Sequence, residues 1–124
     1  MRTVDSAFFQ AAELAQAVAA AKAAPDGYAA EVLRSDLLSV GVYVLAAGAI
    51  DDQTPHDEDE VYYAVSGRSR FQVAGHEYSV KPGSLLFVPA KADHRFHDIA
   101  EELVLVVFWA PPEGSLAAQS GRDA

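Results

Sequence analysis

Residues 54–67 read TPHDEDEVYYAVSG. One histidine, His56, precedes four consecutive acids, and the acids lead into an apolar run, Val61 to Val65, that closes on Ser66-Gly67. Aromatic and β-branched residues between turn-forming ones predict a strand, so His56 sits in the loop before it and Glu60 opens it. Two readings compete on these residues alone. A histidine beside acids is most simply a solvated loop residue, and Asp57, Glu58 and Asp59 then form a solvated acidic turn. Alternatively, His56 and Glu60 are two ligands of a metal site.

The same texture extends outward from this stretch. Tyr28–Leu33, Leu37–Ala47, Ser69–Val73, Glu77–Val80, Leu85–Val88, His94–Ile99 and Leu103–Trp109 are short runs rich in Val, Leu and aromatic residues. Most gaps between them carry turn residues: Ser66-Gly67, Ala74-Gly75, Lys81-Pro82-Gly83 and Pro89-Ala90-Lys91. Seven or eight short strands with regular turns predict an all-β sandwich or barrel. The N-terminal segment differs. It is alanine-rich, Phe8, Ala11, Ala15 and Val18 recur at helical spacing, and Pro25-Asp26-Gly27 ends it. It reads as an α-helix capped by Asp5 or Ser6 and packed on the sheet. The expected organisation is a helix and linker over 1–27, a β-domain over 28–110, and a flexible small and polar tail over 111–124.

A chain of 124 residues suits one domain and can bury about two thirds of its unfolded surface. The formal charge of −9 makes nucleic acid and anionic membrane poor partners, because the protein repels phosphate. Without cysteine there is no disulfide, thiolate metal site or Cys nucleophile. The N-terminus carries Asp5 and Glu13 and has no apolar stretch long enough for export or membrane anchoring, which places the protein in the cytoplasm. No nucleophile elbow, phosphate-binding glycine loop or helical pair of zinc-binding histidines appears.

Four histidines are available: His56, His76, His94 and His97. His94 opens a later strand, so two imidazoles and a carboxylate, His56, His94 and Glu60, can converge from separate strands as a 2-His-1-carboxylate set. Neutral imidazole and carboxylate are both competent ligands at neutral pH. His76 follows Gly75 at a hairpin turn and reads as exposed. His97, three residues from His94, points to the opposite face of its strand. The same alternation places Phe96 and Asp98 with His94, and Tyr62 with Glu60, as cavity-lining candidates; Tyr43 and the oxygen donor Gln53 join them.

TPHDEDEVYYAVSG, taken with PGSLLFVPAKADHRFHD at 82–98, resembles the two motifs of the cupin superfamily. Glu60 is followed by six residues and Gly67, and His56 takes the second-histidine position of the first motif. Gly83, Pro89 and His94 fall at the intervals of the second. The resemblance covers most of Gly48 to Asp98. It implies a double-stranded β-helix, or jelly-roll, barrel with the N-terminal helix added. It also implies a divalent transition metal (Mn, Fe, Ni or Zn) on His56, Glu60 and His94. Departures are Thr54 at the first-histidine position, Lys91 at a glycine position and Asp98 at the final asparagine. Three functions then compete. One is a metal-dependent dioxygenase, isomerase or lyase acting on a small oxygenated metabolite. Another is a non-catalytic small-molecule binder or sensor, and the third a homologue whose metal site has degenerated. Small barrels expose sheet edges and apolar outer faces, so a homodimer is expected, with Phe108-Trp109 and the helix as candidate contacts.

Overall fold

The computed structural model describes residues 8–115. It contains one helix, α1 (Leu14–Ala23), and six strands: β1 (Tyr28–Arg34), β2 (Ser39–Leu45), β3 (Asp59–Val73), β4 (His76–Val80), β5 (Leu85–Val88) and β6 (His94–Ala110). All pairings are antiparallel. The order is β1-β2-β6-β3-β4, with β5 on the other part of β3.

Six strands replace the expected seven or eight because two predicted pairs are continuous. Ser66-Gly67 is not a turn: β3 passes through it with Gly67 at φ +97°. A Cβ there would lie 2.2 Å from the Glu102 carbonyl oxygen on β6, so only glycine lets the two backbones come this close. Opposite, β6 absorbs extra residues. Arg68 pairs with Glu101 while Arg70 pairs with His97, so two steps of β3 face four of β6. Asp98, at φ +49°, lies in that excess. The paired long strands therefore bend instead of ending.

This bend makes the fold. The first half of β3 pairs with β5 and the last part of β6; the second half pairs with β4 and the start of β6. Inward side chains of the two halves meet: Tyr62 lies edge-on to Phe71 and Phe96, and Leu103, Leu105, Val107 and Trp109 complete the same core. The arrangement is mostly β and consistent with a jelly roll. The hydrogen-bonded sheet does not close into a ring, since β1 and β4 remain edges among the described strands.

α1 covers the outer face of the sheet. Ala17 and Ala21, four residues apart, bury against Val42, Val44 and Val104, forming a second core. Methyl side chains let the helix axis lie close to the strands, and β2 is thereby buried on both faces. The helix starts later than expected. Asp5 and Ser6 lie outside the described residues, Glu13 is extended, and Phe8 and Ala11 precede the helix. A side-chain contact explains the delay. The Gln10 side-chain amide donates to the Arg34 carbonyl and accepts the Arg34 N–H, tying this segment to the end of β1. Residues 111–115 are also packed. The Glu113 N–H donates to Ser39 Oγ at 3.1 Å and the Glu113 carboxylate accepts from Tyr28, so the tail begins as part of the domain; 116–124 lie outside the described residues. Among the described residues, no helix is long and apolar enough to cross a membrane.

Candidate metal centre and its cavity

The first half of β3 alternates, with Glu60, Tyr62 and Ala64 buried and Asp59 and Tyr63 exposed. Glu60 pairs with Val88 on one side and Trp109 on the other, which fixes its carboxylate inside the sheet. His94 opens β6, buried, from the other half of the bend. His56 comes from the preceding loop, whose position is set by two ties to the turn before His94. The Lys91 N–H donates to the His56 carbonyl, and Asp59 Oδ1 accepts from the Ala90 N–H at 2.9 Å. Asp59 is therefore a staple between the loops that carry the two histidines. Glu58, expected in a solvated turn, is 2% exposed; its backbone direction at the strand entrance turns it inward. Thr54 is exposed in the loop.

One ligand atom each from His56, Glu60 and His94 lie within 4.8 Å of one another. His94 Nδ1 is 2.9 Å from the Ala92 carbonyl, which can only accept, so Nδ1 carries the hydrogen. Nε2 then presents a lone pair to Glu60 Oε1 at 2.9 Å. Two acceptors at that distance repel unless a proton or cation lies between them. Glu60 Oε2 and His94 Nε2 have no hydrogen-bond partner, although both side chains are 1% exposed. Ligand atoms held about 2.1 Å from one ion at right angles stand about 3 Å apart, and a ligating histidine typically donates its other nitrogen to a carbonyl. The donor set, tautomer and unpartnered atoms therefore fit a divalent metal. Without one, the pair holds a proton. Burial alone lowers the His94 pKa, but once Nε2 is protonated it can donate to Glu60 Oε1, and that bond, the Ala92 carbonyl and the charges of Glu60 and Asp51 outweigh burial and raise the pKa above 6.5.

Beside this cluster lies a pocket of about 120 Å³, reached from it through His56. Tyr28, Tyr43, Tyr62 and Trp109 are four of its nine lining residues. His56 packs on Trp109 with ring centroids 4.5 Å apart and planes at 76°. Buried Asp51 organises one side. It accepts from the Phe96 N–H at 2.8 Å, from Gln53 Nε2 at 2.7 Å and from the Tyr43 hydroxyl at 3.2 Å, while the Tyr62 hydroxyl donates to Gln53 Oε1. On the other side Trp109 Nε1 donates to the Tyr28 hydroxyl, which donates to Glu113 Oε1, each at 2.9 Å. Burial and neighbouring carboxylates push Tyr28, Tyr43 and Tyr62 well above the ordinary phenol range, so all three stay protonated.

Of the lining candidates, Gln53, Tyr43 and Tyr62 border this pocket. Phe96 does not; it is fully buried behind Tyr62, with ring centroids 5.0 Å apart. Asp98 does not either. Its left-handed backbone breaks the alternation of β6, so Ile99 takes the inward place and the Asp98 side chain is 80% exposed beside His97. His97 is partly exposed and paired with Glu77 at 2.9 Å, and His76 is exposed. Tyr28, Trp109 and Glu113 border the pocket but were not anticipated. Trp109, expected on an outer contact face, is buried and inward, while its neighbour Phe108 points out. Period-two alternation along Leu103–Trp109 contains that signal; nothing local in the sequence marks Glu113.

This bent antiparallel β-domain, consistent with a jelly roll, carries buried His and Glu beside a small pocket. Residues 41–111 match the cupin domain family, and the chain belongs to that family. It is 46% identical over 94 residues to an uncharacterised protein of Streptomyces coelicolor, covering 76% of this chain and 90% of that one. Among solved structures it is similar to TT1209 from Thermus thermophilus, with TM-score 0.67, 26% identity, and coverage of 83% of this chain and 98% of the other. It is also similar to the DMSP lyase DddQ from Ruegeria pomeroyi, with TM-score 0.58 and 26% identity. That match covers 61% of this chain but only 39% of the lyase.

Proposed function

We propose that this cupin is a small metal-dependent enzyme of the dioxygenase, isomerase or lyase type. In this reading His56, Glu60 and His94 hold a divalent transition metal, and the substrate is a small oxygenated metabolite in the adjoining pocket. The observation that carries it is the buried pair Glu60 Oε2 and His94 Nε2, both unpartnered within a three-residue donor set. A metal there supplies Lewis-acid polarisation of a substrate oxygen. The protein's own contributions are separable from that. Ala92 fixes the His94 tautomer, Asp59 holds the two histidine loops together, and Tyr62 and Val107 line the pocket beside them. Three protein ligands leave positions open for substrate, so Thr54 in place of a further histidine is compatible with function. The likeness to a lyase supports the lyase branch.

The second reading is a non-catalytic binding or sensing cupin. It is favoured by the absence, among the pocket's described residues, of a phenol with a depressed pKa; all three tyrosines are held as phenols. Elemental analysis decides the shared premise. Purified wild-type protein incubated with Mn, Fe, Ni or Zn and desalted is expected to retain about one equivalent. Glu60→Gln and His94→Ala are expected to retain at least tenfold less, the scale on which even supporting groups affect metal affinity. Wild-type protein that retains none of the four, or a Glu60→Gln protein that retains as much as wild type, rules out this site.

A further inference from the structure

We propose that the pocket next to the metal cluster is a cation site, an aromatic wall closed by the Glu113 carboxylate, and that it takes a small alkylammonium-like headgroup. The inference rests on reading this pocket as the ligand site, and it does not require that a metal be held beside it.

Four observations converge. The wall is aromatic: Tyr28, Tyr43, Tyr62 and Trp109 all border the pocket, and Tyr28 and Tyr43 stand at 72° to each other with centroids 5.6 Å apart, forming a corner. Aromatic faces attract cations, and several rings around one cavity are the usual receptor for alkylated ammonium groups. Second, the wall's own donors are already engaged. The single hydrogens of the Trp109 indole and of the Tyr28, Tyr43 and Tyr62 hydroxyls go to Tyr28, Glu113, Asp51 and Gln53 respectively. A ligand rich in hydroxyls or carboxylates finds few protein donors here; one that offers positive charge without needing donors suits the wall. Third, two carboxylates, Asp26 and Glu113, border the pocket, His56 is the one lining side chain able to carry positive charge, and among its described lining residues none is Lys or Arg. An anion would meet two carboxylates against that single imidazole. Burial raises the Glu113 pKa, a penalty that a cation in the pocket would offset. Fourth, the size fits. A cavity of about 150 Å³ holds a benzene, so one of about 120 Å³ takes about five non-hydrogen atoms, the size of tetramethylammonium.

Trp109 is the only tryptophan of the chain, so its emission reports on this wall directly. The probe is tetramethylammonium chloride. The controls are tert-butanol, a neutral molecule of similar shape, and potassium chloride at equal ionic strength. Tetramethylammonium is expected to change Trp109 emission saturably, and to receive saturation transfer from the protein at its methyl protons; neither control saturates. Glu113→Gln keeps an acceptor for Tyr28 and is expected to weaken the interaction about tenfold with unchanged circular dichroism. The proposal is overturned if tetramethylammonium shows neither signal with folded wild-type protein, if tert-butanol saturates over the same concentrations, or if Glu113→Gln binds as wild type does. Metal content measured on the same samples separates the two ideas. Metal uptake without tetramethylammonium binding sinks the cation site alone, and binding without metal uptake sinks the metal centre alone.

Discussion

Glu60 and Glu113 show how differently one residue type behaves in two places. Glu60 is locked between two strands with one oxygen facing the His94 lone pair. Glu113 arrives from beyond the last strand and is tied to Tyr28. Burial holds the Glu113 carboxyl above its usual 4.5. The folded state therefore binds this proton more tightly than the unfolded chain does. The resulting stabilisation is fully present below 4.5 and is lost as pH rises through the folded-state pKa. Compared with Glu113→Gln, which does not titrate, the wild-type protein is expected to gain stability in urea as pH is lowered across that window. A stability difference between the two proteins that is flat, or that slopes the other way, contradicts the assignment. Lys91 is a second instructive residue. It stands where the cupin motif has glycine, and its φ of +68° is the left-handed conformation that glycine adopts freely. The backbone demand survives the change of side chain.

At the scale of elements, the bend shared by β3 and β6 brings His94 to Glu60. Gly67 is its tightest point, with positive φ and the Glu102 carbonyl within 2.2 Å of any added Cβ. Gly67→Ala combines a strained backbone with a clash against main chain that cannot swing aside, so a loss of about 2–3 kcal/mol is expected. Chemical denaturation measures it. A loss under about 0.5 kcal/mol would mean that the two strands are not this close in solution. Gly75→Ala is the control for the clash: it shares a positive φ, +84°, and so the backbone strain, but an added Cβ meets nothing there within 4 Å, and it is expected to cost less than Gly67→Ala. The helix matters less to the site. It packs on the outer face of β2 through Ala17 and Ala21, with the two cores on opposite sides of the sheet.

For the whole molecule, the outward face of the sheet carries a contiguous exposed apolar row among the described residues. Val61 pairs with Phe87 on one side and Phe108 on the other, and Leu85 and Tyr63 form the next row. Phe87, Leu85, Phe108 and Tyr63 are 61%, 70%, 41% and 40% exposed, more contiguous apolar surface than scattered residues would give. We propose that a second copy covers this face in a two-fold homodimer. Light scattering at micromolar concentration is expected to give twice the chain mass for wild type and a monomer for Phe108→Asp; a wild-type monomer refutes it.

Much of this was legible in the sequence. Alternation between turn residues marked the strands, and the resemblance to two spaced cupin motifs singled out His56, Glu60 and His94 as candidate ligands; the bend of β3 and β6 is what brings their ligand atoms within 4.8 Å of one another. The length of β3 and β6 was not legible: Ser66-Gly67 has the chemistry of a turn, and only the approach of Glu102 from a distant strand makes it a bulge. Asp98 was misplaced for the same reason, since alternation predicts a face only while φ stays extended. The aromatic and acidic pocket was hidden further. Tyr28, Trp109 and Glu113 lie up to 85 residues apart, and only the hydrogen bonds of the folded chain join them. Local sequence determined which residues form strands and which can ligate a metal. Tertiary packing alone decided what lies beside those candidate ligands, because a cavity wall is assembled from side chains whose sequence spacing carries no trace of their contact.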